Sequence, residues 1–70
     1  MTGTWARMTA GEVRTGDRVR FDGGAELLVS RVEANFLGMG TMLAFVEDTH
    51  ERWLKQALPL SAEVDVQRPA

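Results

Sequence analysis

Along residues 18–22, apolar and polar side chains alternate. Val19 and Phe21 stand between Arg18, Arg20 and Asp22, the pattern of a half-buried strand with its arginines outward. Asp22-Gly23-Gly24 follows and predicts a hairpin turn. The next strand opens with Leu27 and Val29 on one face, then continues with Val32, Ala34 and Phe36 on the opposite parity. A straight strand cannot bury both sets on one side. A bulge near Ser30-Arg31 restores the match and bends the strand.

Leu37-Gly38-Met39-Gly40 reads as a flexible connection, and residues 41–46 are apolar on both parities. A strand of that kind is central or covered by something else. Residues 47–51 read as a polar turn. Residues 52–58, RWLKQAL, suit either a strand or a helix: Thr49 is an eligible N-cap and Glu51 stands one turn before Lys55, yet the hairpin context favours a strand. Pro59 ends the element in both cases. Residues 60–62 form a short turn, with a short helix or 3₁₀ turn admitted within 50–62. Residues 63–67 alternate again, Val64 and Val66 inward, as a last strand. Residues 1–9 lack a period and read as a flexible tail, with Trp5 docking on the domain or on a neighbour. Met8-Thr9 repeats the opening Met1-Thr2, so Met8 is a second candidate start. The expected organisation is a single domain over 10–68 with a short tail at 69–70.

A chain of 70 residues has room for one domain, near the lower limit for a self-sufficient core. Disulfides, a metal or self-association usually help at this size. There is no cysteine and one histidine, His50, so disulfides and the usual zinc sites are excluded, and self-association is what is left. The net charge of −2 argues against a general nucleic-acid binder. The charge is uneven, however. From Arg7 to Arg31 arginines outnumber acids by one, whereas from Glu33 to Asp65 acids exceed bases by four. No apolar run approaches the roughly 20 residues of a membrane span, and the start lacks a signal-peptide core, so a cytoplasmic protein is expected.

Gly16-Asp17-Arg18-Val19, Val29 and Val32 around the bend, and Leu58-Pro59-Leu60-Ser61 before Glu63-Val64-Asp65-Val66 resemble the strand pattern of SH3-like small barrels, over about residues 12–67. The resemblance implies an all-β, five-stranded SH3-like barrel. KOW and Tudor domains share that fold, as do many unrelated interaction modules, and fold alone does not fix function. The KOW resemblance implies a basic face at Arg14, Arg18, Arg20 and Arg31. Type II dihydrofolate reductases, small barrels active as tetramers, also look similar through the Gly16–Arg20 run. Of their Val-Gln-Ile-Tyr active-site run only Val66-Gln67 matches, and this chain has no tyrosine.

Catalytic signals are weak. Gly38-Met39-Gly40 matches the opening of a nucleotide-binding glycine fingerprint, but the third glycine position is Leu43 and no strand–helix unit surrounds it. Asp48-Thr49-His50-Glu51 holds a hydroxyl and an imidazole, but adjacent residues in a polar turn rarely build a cleft. No cofactor or metal is expected. Apolar residues are in surplus around Phe36, Leu37, Met39, Leu43 and Phe45, with Trp53, and together they predict a protein interface, with a homodimer as the expected state. The expected function is therefore a non-catalytic interaction module. A nucleic-acid-binding accessory domain using Arg14, Arg18, Arg20 and Arg31 is the alternative, and an oligomeric small-barrel enzyme the remote one.

Overall fold

A computed structural model describes residues 4–69. The chain is mainly β, with strands β1 (Trp5–Thr9), β2 (Arg18–Arg20), β3 (Glu26–Leu28), β4 (Arg31–Ala34), β5 (Met42–Asp48), β6 (Trp53–Pro59) and β7 (Glu63–Gln67). They form a four-stranded sheet A in the order β1-β7-β2-β3 and a three-stranded sheet B in the order β4-β5-β6, all pairs antiparallel. Among the described residues no helix is long and apolar enough to cross a membrane.

The expected five-stranded closed barrel does not form. Two departures account for this. Residues 5–9, expected as tail, form β1 and add an outer strand to β7, with Trp5 opposite Gln67 and Met8 opposite Val64. The alternation of Trp5, Arg7 and Thr9 with Ala6 and Met8 is a strand period that the short polar opening concealed. The second expected strand is divided: β3 belongs to sheet A and β4 to sheet B.

The division lies where the parity of the apolar residues changes. Val29 donates its N–H to Asp17 O in sheet A, while the Ser30 N–H donates to Val46 O in sheet B. Arg31 is also the register partner of Val46, so two residues stand opposite one, the two-against-one arrangement of a bulge. The first hairpin turns as its sequence dictates. Phe21 N–H donates to Ala25 O at 2.8 Å, and Gly23 and Gly24 both adopt a left-handed φ that other residues resist. Residues 53–58 are strand, not helix, and Lys55 pairs with Glu33 rather than Glu51.

One core joins the sheets. Sheet A contributes Val19, Leu27, Val64 and Val66, and sheet B contributes Leu43, Phe45 and Leu58. Ala44 and Val46, on the other face of β5, are also fully buried. Their cover comes from within sheet B. In register, Glu33 and Ala57 flank Ala44, and Arg31 and Lys55 flank Val46. Ion pairs from Lys55 to Glu33 (2.7 Å) and from Arg31 to Glu33 and Asp48 (both 3.4 Å) lie over these small side chains. The methylene stems of such residues shield apolar surface while their charged ends stay wet.

Candidate functional site

Among the described residues two carboxylates are buried, and both hold the architecture together. Asp17 accepts from the Arg14 N–H at 2.9 Å and from Arg68 Nε at 3.2 Å, and Arg68 also donates to Glu12 O. This fixes the end of the chain against the segment before β2. Glu47, expected in a polar turn, is the last inward residue of β5, on the same parity as Leu43 and Phe45. It accepts from Leu28 N–H at 2.8 Å and from Arg52 Nε and Nη2 at 2.9 and 3.0 Å. Arg52 Nη2 also donates to Glu26 O at 2.9 Å. The Arg52 guanidinium, reinforced by the Leu28 N–H, holds the Glu47 carboxyl below the usual glutamate range, against the opposing effect of burial.

β3 is the outer strand of sheet A, and its outward backbone groups are those of Glu26 and Leu28. Glu47 and Arg52 therefore occupy that edge and bridge it to sheet B with side chains. The residues that sequence reasoning passed over, Asp17, Glu47, Arg52 and Arg68, are thus structural clasps. The signal that could have found Glu47 is its parity with Leu43 and Phe45.

The expected interface residues do not form one surface. Leu43 is 3% exposed and Phe45 fully buried, so both are core and neither can contact a partner. Phe36 leaves the strand after Asn35, which takes a left-handed conformation, and its ring lies 4.9 Å from the Lys55 ammonium. Leu37 is 79% exposed and Met39 is also exposed, both in the loop between β4 and β5. Trp53 is 57% exposed, but it pairs with Asp48 at the far end of β5 from Met42. At about 3.4 Å per residue, roughly 20 Å of strand separates the two groups.

The arginines are not gathered either. Arg18 and Arg20 lie on the outer face of sheet A, where Arg18 meets Glu26 at 4.0 Å and Arg20 meets Asp65 at 3.8 Å and covers the Trp5 ring at 4.2 Å. Arg7 adds to that face by pairing with Asp22, Glu63 and Asp65. Arg31 belongs to sheet B and pairs with Glu33 and Asp48. The Arg14 guanidinium has no ion-pair partner among the described residues, and it stands apart from the other three in the segment before β2. Two surface hollows lie near the end of the chain. A cleft of about 160 Å³ is lined by Gly16, Arg18, Leu28, Gln67, Arg68 and Pro69. A groove of about 420 Å³, open to solvent, runs along Gly11–Arg14. Both border Arg68, which Asp17 and Glu12 already hold.

The remaining feature is the free edge of β6. Thr49 N–H donates to Arg52 O and Leu60 N–H to Thr41 O. By alternation, the backbone groups of Leu54, Gln56 and Leu58 face β5, and those of Trp53, Lys55 and Ala57 face outward. The second half of this edge is blunted: the Gln56 side-chain amide donates to Ala57 O at 3.1 Å, and Pro59 has no N–H. The first half is open, with Trp53 exposed on one face and Leu54, 38% exposed, on the other. Comparison of the chain with protein-family models, curated proteins and solved structures finds no match.

Proposed function

We propose that this chain is a non-catalytic interaction module, derived from an SH3-like strand pattern and working in the cytoplasm, that receives a protein partner along the first half of β6. The supporting observation is that Trp53 and Leu54, both exposed, flank backbone groups that face outward at an unblunted strand edge. An extended segment added there gains main-chain hydrogen bonds from the edge and selectivity from side chains on alternate faces. The loop side chains Leu37 and Met39 provide a second apolar contact. Leu37 holds φ 57° while 79% exposed, a conformation that costs an L-residue roughly 1–2 kcal/mol and gains no packing in return.

Catalysis has less support, because both buried carboxylates are saturated by structural donors. Nucleic-acid binding also has less, because Arg18, Arg20 and Arg31 are ion-paired and divided between two sheets. The test is a photo-reactive amino acid placed at Trp53 in the full chain in cells, with Arg14 as control. Protein adducts at 53 and not at 14 are expected. Adducts to nucleic acid, or none at 53, would reject the reading.

A further inference from the structure

We propose that the occupant of the β6 edge is β6 of a second copy of this chain, paired antiparallel about a twofold axis that passes between the two copies of Leu54. This rests on the reading of β6 as the contact edge and names its partner.

The register follows from which backbone groups are free. Only outward-facing residues can bond across a new seam, and these are Trp53, Lys55 and Ala57. A register centred on Lys55 leaves Trp53 opposite Ala57, so the exposed ring gains little cover. It also requires Ala57, whose carbonyl the Gln56 amide already occupies. A register centred on Gln56 needs Ala57 as well. Centring on Leu54 uses Trp53 and Lys55 alone and leaves the blunted half untouched.

The side chains then match on both faces. On the outer face Trp53 of each copy lies opposite Lys55 of the other, an aromatic ring against the methylene stem of the lysine. Lys55 reaches back over β5 to Glu33 at 2.7 Å and to the Phe36 ring, so its methylene stem, and not its ammonium, is what the Trp53 ring of the other copy covers. On the inner face the two Leu54 side chains meet, so both large apolar residues flanking the open edge are covered at once. The remaining sheet edges fit poorly. β3 is occupied by Glu47 and Arg52, none of the exposed large apolar side chains lies on β4, and the Thr9 N–H of β1 is taken by Glu12. The product is a continuous sheet made from the two copies of sheet B.

The chain has no cysteine of its own, so Leu54→Cys introduces a single thiol that faces its counterpart in this register. Mild oxidation of full-length Leu54→Cys is expected to give a disulfide-linked dimer, while Ala57→Cys, which does not face itself, stays largely uncoupled. Light scattering across a dilution series of the unmodified chain is expected to move from the 7.7 kDa monomer mass to twice that value. Trp53→Ala is expected to raise the dimer dissociation constant about tenfold or more, as loss of a central aromatic anchor does. Amide exchange supplies a check that needs no variant: protection at Trp53 and Lys55 rises with protein concentration and protection at Ala57 does not.

A monomer at every concentration, with no disulfide coupling of the Leu54→Cys variant, would overturn the proposal. The contact-edge reading would then stand or fall on the adducts formed from position 53. Coupling of the Ala57→Cys variant without coupling of Leu54→Cys would overturn this register. Adducts at 53 to a different protein, with no self-adduct, would replace the second copy as occupant while keeping the edge.

Discussion

The Glu47 carboxylate on β5 and the Leu28 N–H on β3 form a 2.8 Å hydrogen bond that joins sheet B to the outer strand of sheet A. Arg52 completes the clasp by holding Glu47 and Glu26 O together. Replacing Glu47 with Ala leaves Leu28 N–H and the Arg52 guanidinium without their acceptor. The expected loss is about 1–3 kcal/mol, the cost of a buried group left unsatisfied. A domain of this size has little stability in reserve, so the loss should be plain in a urea unfolding midpoint. Removing Arg52 instead strands a buried carboxylate without its cation, so Arg52→Ala should destabilise more than Glu47→Gln.

The same clasp predicts an acid limb in stability. The Glu47 carboxyl is held below the usual glutamate range in the folded chain, chiefly by Arg52. Between the ordinary glutamate value and the lowered folded one, the unfolded chain binds the proton and the folded chain does not. Stability therefore rises with pH through that window. The contribution is fully present above the ordinary glutamate value and is lost as pH falls through the folded one. Unfolding free energies measured from neutral to strongly acid pH should fall less steeply in Glu47→Gln than in the unmodified chain. Equal slopes would mean that Glu47 is not the group being titrated.

Phe45 and Trp53 are expected to behave in opposite ways. Phe45 is fully buried in the shared core, and truncating it to Ala should cost about 3–5 kcal/mol, enough to unfold much of the population of so small a domain. Trp53 is the larger side chain but is mostly exposed, and Trp53→Ala should change monomer stability by no more than about 0.5 kcal/mol. Thermal melts of both variants at a concentration low enough to keep the chain monomeric provide the comparison.

The contrast marks how far the sequence could be read. Val19, Val64 and Val66 face the core as their alternation requires, the Asp22-Gly23-Gly24 turn is where its residues put it, and the parity change after Val29 marks the crossing between sheets. These features depend on near neighbours in the chain. What failed depends on distant ones. The strand at 5–9 exists because Val64 and Val66 leave an edge for it, which no local pattern announces. The apolar residues on both sides of 41–46 suggest an interface for Leu43 and Phe45, whereas both lie in the core. The cover for the second side comes from charged residues, Arg31, Glu33 and Lys55, whose composition alone suggests open solvent. Of the expected contact residues, Leu37, Met39 and Trp53 are exposed, and the open edge beside Trp53 became legible only once the hydrogen-bond alternation along β6 was known.

A chain begun at Met8 tests the role of the added strand. It lacks Trp5, Ala6 and Arg7, and so loses the pairing with Asp65, Val66 and Gln67 along most of β1. Each ladder bond lost costs about 0.5–1.5 kcal/mol, and Val66 loses the neighbour that shields it from that side. The Arg20 guanidinium also loses the Trp5 ring beneath it. The shortened chain should therefore melt at a lower temperature, with amide protection lost first along β7, whose residues become a sheet edge. Sheet B and the Glu47 clasp make no use of β1, so protection at Leu28 and along β5 should outlast it. If the two chains melt together and β7 keeps its protection, β1 contributes nothing to the fold, and the domain ends where the sequence pattern alone would end it.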